Sequence, residues 1–165
     1  MKKSFLILMI TGFMTIGLSE VQAQTTQPKL NQVELMKQFF GNWKADLAKD
    51  TVLYMNIEPF GTGFTCYIKT VAKNITISEM KELYGYDSKI DRYVAASLEK
   101  GKDIEIYALW FKSDTKYEGV HLSDVSNPDK ASIKFEGEIK SKDECLQTIL
   151  INGKVAVIED YKRIK

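Results

Sequence analysis

From residue 31 onward the hydrophobic period of the chain changes once. Val33, Met36, Phe39 and Phe40 fall at helical spacing and gather into one apolar stripe. Asn31 carries the side chain of an N-cap, and Glu34 follows three residues later as in a capping box. The spacing predicts a short amphipathic helix that stops at Gly41. After Gly41-Asn42-Trp43 the period shortens to two. Trp43, Ala45 and Leu47 alternate with Lys44, Asp46 and Ala48, the mark of a strand with one buried face.

The remainder is a succession of such strands. Asp50-Thr51 leaves room only for a tight turn before a strand over 52–60, which Pro59 and Gly61-Thr62-Gly63 bring to an end. The next strand, over 64–73, sets Phe64, Cys66 and Ile68 on one face. Ile75 and Ile77 read as strand, and Ser78–Leu83 is read the same way although its polarity also suits a helical turn. Tyr84-Gly85-Tyr86 then leads to a turn at 87–89. Further strands are expected over 92–99, 103–112, 117–125, 131–140, 144–151 and 155–164, separated by turn residues such as Asn127-Pro128-Asp129 and Asn152-Gly153.

No gap between strands holds a crossover helix, so parallel β-α-β architectures are excluded. A flat sheet of about ten sequential strands would expose two long edges, and closure removes both. The expected fold is all-β, an antiparallel up-and-down barrel of about ten strands with a short N-terminal helix, occupying residues 31–165. A two-sheet sandwich is the alternative.

The first residues change the picture of where the protein works. Met1-Lys2-Lys3 precedes an apolar run from Ser4 to Leu18, and Val21-Gln22-Ala23 supplies small residues at the spacing of a signal-peptidase site. Residues 1–23 are therefore expected to be a signal peptide and 24–30 a flexible lead-in. No Cys follows the cleavage site, which points to free export, periplasmic or secreted, with no membrane span after signal removal. With 165 residues and 44% apolar content the chain suits one domain with a real core.

Charge excludes one class of partner. The chain carries 23 Lys and Arg against 22 Asp and Glu, and loss of Lys2, Lys3 and Glu20 with the leader makes the formal balance zero. The signs are interspersed, so nucleic acid is not an expected partner. Export makes a disulfide between Cys66 and Cys145 chemically permitted, and two small buried thiols are the preferred reading of the pair.

The apolar segment Val33–Phe40, the Gly41-Asn42-Trp43 triplet opening a first strand, the hairpin series and Arg163 near the end together resemble the calycin superfamily. Its lipocalins, fatty-acid-binding proteins and bacterial lipocalin-like proteins of unknown function share these features. In lipocalins the Trp packs at the closed end of the barrel beneath an Arg from the last strand, while a short helix plugs that end. The resemblance implies that Trp43 and Arg163 are the corresponding pair and close the barrel. Lipocalins add a helix after the last strand, and fatty-acid-binding proteins place a helical lid between the first two; neither is expected here. The bare-barrel bacterial branch is the nearest in form.

Candidate chemistry is sparse. In the last strand Val155, Val157, Glu159, Tyr161 and Arg163 share one face. Ionisable groups on that face either pair in a dry core or line a wet cavity that takes a polar ligand group. His121 is the one histidine, so no multi-histidine metal site exists and none is expected. Some relatives of this fold bind haem through a single histidine, which makes His121 an axial-ligand candidate, with no other cofactor expected. Nothing in the spacing of Glu58, Glu79, Glu105 and Glu159 sets two carboxylates face to face, and no nucleophile or phosphate motif is present. Catalysis is not expected.

Tyr107, Leu109 and Phe111 alternate with Ala108 and Trp110, so this strand is apolar on both faces. It lies under the helix, at a pocket mouth or in a dimer surface, and the protein is expected to be a monomer or homodimer. The expected function is to bind a small apolar or amphipathic ligand in the barrel interior, with Tyr54, His121, Glu159 and Tyr161 as polar contacts. The alternative is a non-catalytic interaction or scaffold domain with a solid core.

Overall fold

The structure is a computed structural model and describes residues 29–165. The leader, its cleavage site and residues 24–28 of the lead-in lie outside the described residues. Asn31 caps helix α1 (Gln32–Met36), its Oδ1 accepting from the Glu34 N–H at 3.2 Å. A single 3-10 turn, Lys37–Phe39, extends it.

Ten strands follow: β1 (Gly41–Ala48), β2 (Thr51–Phe60), β3 (Gly63–Ala72), β4 (Ile75–Asp87), β5 (Arg92–Glu99), β6 (Ile104–Phe111), β7 (Lys116–His121), β8 (Ile133–Ser141), β9 (Glu144–Ile151) and β10 (Lys154–Ile164). Each pairs antiparallel with the next, and β1 pairs with β10, so the sheet closes on itself as a ten-stranded barrel. The barrel expected from the alternation is the one formed, and no second sheet remains for a sandwich.

Closure is made at the helix end. Trp43 stands opposite Arg163 in the β1–β10 register. The guanidinium lies 4.0 Å from the centre of the buried indole ring, a cation–π contact. Its donors reach backbone carbonyls: Nε to Lys142 at 2.8 Å, Nη2 to Gln38 at 2.8 Å, and Nη1 to Phe40. One side chain thus joins the end of the 3-10 turn, the β8–β9 turn and the first strand. Gly41 makes the approach feasible, because its φ of +119° suits glycine and a Cβ there would stand 2.7 Å from Arg163 Nη1. The indole Nε1–H donates to the Phe39 carbonyl at 2.7 Å, fastening the plug to the strand it precedes.

Helix α1 is held across the barrel end by a residue outside its apolar stripe. The buried Gln32 amide donates to the Phe111 carbonyl at 3.0 Å and accepts from the Phe111 N–H at 2.7 Å, satisfying the last residue of β6 as a further strand would. Met36 and Phe39 then descend into the core, where Phe39 meets Tyr117 edge-on with ring centroids 5.0 Å apart.

Two expectations are corrected, the strand over 117–125 and the face of Val155. The strand foreseen over 117–125 ends at His121, and two 3-10 turns, Leu122–Asp124 and Pro128–Lys130, carry the chain to β8. Val125 and Ala131 of this segment pack on Ala108, Trp110 and Val120 outside the barrel, which explains why β6 is apolar on both faces. Ser78–Leu83 is strand, as expected, and runs on through Tyr84–Tyr86 in one 13-residue strand, β4. A register shift between Val155 and Val157 sets Val155 opposite Leu150, so Val155 leaves the inward set that Val157, Glu159 and Tyr161 keep.

Trp43→Ala should remove about 3–5 kcal/mol of stability, as expected for emptying a buried aromatic site. Urea unfolding monitored by circular dichroism measures it. A loss well under 1 kcal/mol would mean that the ring does not hold the closure.

Candidate functional site

The barrel interior is not solid. A cavity of about 250 Å³ runs from the plug residues Met36 and Phe39, past Trp43, Phe64 and Ile68, to Thr70, Ser78 and Ile149 near the other end. Most of its wall is apolar, as the inward positions of β2 and β3 (Leu53, Met55, Ile57, Cys66) require. Set into that wall are two carboxylates, Glu82 on β4 and Glu159 on β10. Four strand steps separate β4 from β10 in the closed order, so these side chains project from nearly opposite walls.

Glu159 is 7% exposed and belongs to a hydrogen-bonded chain. Gly137 begins it. A Cβ on Gly137 would overlap the Tyr117 ring, which instead lies flat across β8 to reach β9. There the Tyr117 hydroxyl donates to Gln147 Oε1 at 3.0 Å, and Gln147 Nε2 donates to Glu159 Oε2 at 2.9 Å. The Tyr161 hydroxyl donates to the same Oε2 at 2.8 Å. Every donor in the chain points toward the carboxylate, which holds Glu159 as an acceptor.

Glu82 is placed by cross-strand neighbours. It stands opposite Cys66 on β3 and Ser97 on β5. The Tyr84 hydroxyl donates to its Oε2 at 2.7 Å. Burial pushes the Glu82 carboxyl above its ordinary value, against the opposing pull of hydrogen bonds from Tyr84, Ser97 and Cys66. The same desolvation drives the hydroxyls of Tyr84, Tyr117 and Tyr161 well above theirs, so all three remain neutral donors.

The expected contact residues separate. Glu159 and Tyr161 line the cavity and bond to each other. Tyr54 does not: it alternates with the inward Leu53 and Met55, stands on the outer face and is 43% exposed. His121 ends β7 on the inward phase of Tyr117 and Gly119, its imidazole against the ring of the cavity-lining Tyr107 with centroids 4.5 Å apart. It is not among the residues that line the cavity. Arg163 serves the closure and is also absent from the cavity wall. Glu82, Gln147, Tyr84 and Tyr117 were not foreseen as lining residues.

Cys66 and Cys145 are free, so the disulfide that export would permit is not formed. Both thiols are buried and their ionisation is pushed upward, chiefly by desolvation and, for Cys66, also by the Glu82 charge. Among the described residues no cluster of three or more His, Cys, Asp and Glu side chains is arranged to hold a metal ion, and no helix is long and apolar enough to cross a membrane.

Two predictions follow from the burial of these groups. A thiol-reactive disulfide reagent should leave Cys66 and Cys145 untouched in the native protein and modify both on unfolding; rapid native reaction would mean that the wall opens. For Glu82 the proton linkage has a definite sign. Its folded value lies above the ordinary 4.5, so as pH rises through the window above 4.5 the unfolded chain loses its proton first and stability falls. Glu82→Gln lacks this proton, and its stability relative to the wild type should rise from about pH 4 to about pH 8 in urea titrations. A difference independent of pH would contradict that placement.

Compared with protein-family models the chain matches none, and no curated protein matches it, so its function has to be argued from the barrel's own geometry.

Proposed function

We propose that this chain is an exported, lipocalin-like binding protein that holds a small amphipathic ligand inside its barrel and performs no catalysis. The observation that supports it is the cavity of about 250 Å³, an apolar chamber carrying a few oriented polar groups. Ligand sites share that composition, and their usual range of roughly 300–1,000 Å³ indicates that the ligand here is small. The polar groups stand on strands with their hydrogen bonds already made, so binding requires little reordering. The N-terminal leader supports export, and the tryptophan–arginine closure supports the calycin likeness.

The alternative, an interaction domain, draws on the outer face of β2 to β5, where Phe60, Leu83 and Leu98 are 65%, 50% and 52% exposed around a shallow groove. Its solid-core form conflicts with the cavity.

Native mass spectrometry of protein purified from its host tests both, since it reports a retained small molecule and the oligomeric state together. The binding reading expects a retained mass. It also expects that Met80→Trp, which fills the chamber, releases that mass while far-ultraviolet circular dichroism still reports the barrel. A ligand-free monomer with an unchanged spectrum after cavity filling would count against both readings.

A further inference from the structure

The chamber has a sign. Its wall contains Glu82 and Glu159 and no lysine, arginine or histidine. The basic groups nearest in the fold are occupied elsewhere. Arg163 is bound to the Gln38, Phe40 and Lys142 carbonyls, and His121 lies against the ring of the cavity-lining Tyr107 without lining the cavity itself. Other buried carboxylates of this protein are treated differently. Glu118, 5% exposed on the outer side, has Lys112 at 3.1 Å and Lys134 at 3.3 Å. The absence of a cation inside is thus particular to the cavity.

Glu159 is also incompletely satisfied. Both of its protein donors, Gln147 Nε2 and the Tyr161 hydroxyl, converge on Oε2. Among the described residues none donates to Oε1, on a side chain that is 7% exposed and lines the cavity. Glu159 Oε1 is not sealed inside the protein, since the fully buried side-chain polar atom left without a partner among the described residues is Arg92 Nε; it opens on the cavity and can accept from a donor held there, best a charged one. Beside it stand the rings of Tyr161 and, one residue further along the hydrogen-bonded chain, Tyr117, whose bodies accept an apolar chain.

Building on the reading of the barrel as a ligand binder, we propose that its ligand is a small organic cation: a protonated amine on a compact apolar body, with the ammonium bonded to Glu159 Oε1 and the body directed along the cavity toward Glu82. The Tyr117–Gln147 chain orients the acceptor before the ligand arrives. Ammonium binding supplies the positive charge that the cavity wall does not, and a carboxylate ligand would meet two carboxyl groups and no cation in a desolvated space. A neutral alcohol of the same shape could fill the chamber but would bring no charge to it.

Calorimetric titration of the purified protein with 2-phenylethylamine, 2-phenylethanol and phenylacetate separates these classes. The amine should bind at least about tenfold more tightly than the alcohol, in line with a charge-assisted hydrogen bond, and phenylacetate should not bind. In Glu159→Gln the ratio of amine to alcohol affinity should fall several-fold; the wild-type comparison decides the matter even if that variant does not fold. Equal or tighter binding of the alcohol or the acid would overturn the cationic assignment and leave the barrel a ligand binder. If none of the probes binds but the host-purified protein retains a mass, the assignment alone fails. If none binds and no mass is retained, the binding reading falls with it.

Discussion

A meander of ten strands brings consecutive strands together through short turns, but nothing in the chain order brings the last to the first. That contact must be made by residues more than a hundred positions apart, through the antiparallel β1–β10 pairing and the side chains that fix it. In this protein it rests on the guanidinium of Arg163 against the indole of Trp43. The pair suits the task because each partner has functions to spare. The indole is bonded through its N–H to Phe39, leaving a ring face free. The guanidinium has enough donors to bind three carbonyls while lying on that face. The plug, the first strand, the last strand and the β8–β9 turn are tied at one point, and loss of that point would expose the two edges that closure removes.

Closure at one end also determines what the interior can be. Met36, Phe39, Trp43 and Phe111 fill the plugged end, and packing there is dense. Further along, small lining residues (Thr70, Ser78, Ser97, Gly119) leave space that the larger side chains do not occupy. A wholly apolar chamber would need no orienting groups. This one holds two carboxylates on opposing walls, each with donors, and an exposed Leu83 beside the inward Glu82. At Glu82 burial resists ionisation, against the opposing pull of its hydrogen bonds.

How much of this was legible depended on strand phase. Alternation alone identified the barrel and put Glu159 and Tyr161 on one face with Arg163, because β10 keeps a single phase from Val157 onward. The phase of β2 was equally available in Leu53, Met55 and Ile57, and it places Tyr54 outside; the tyrosine's chemistry suggested a role that its position denies. β4 was misleading for a physical reason. Its inward set contains Ser78 and Glu82 and its outward set Leu83, so polarity reports the wrong face. Only continuity with Tyr84 and Tyr86, which share the inward phase, could have corrected it. Gln32 was out of reach altogether, since its value lies in Phe111, 79 residues away.

The Tyr117–Gln147–Glu159 chain shows why pattern reading stops short of a site. Gly137 looks like a weak point in β8, where a residue without a side chain neither packs nor favours a strand. In the folded barrel its missing Cβ is the space that the Tyr117 ring crosses. A substitution at Gly137 would therefore act on Glu159 through two intervening side chains, although Gly137 neither touches the carboxylate nor itself lines the cavity. Function in this barrel is built from positions that alternation marks as ordinary, and the feature that orients its acceptor is an absence of atoms two strands away from it.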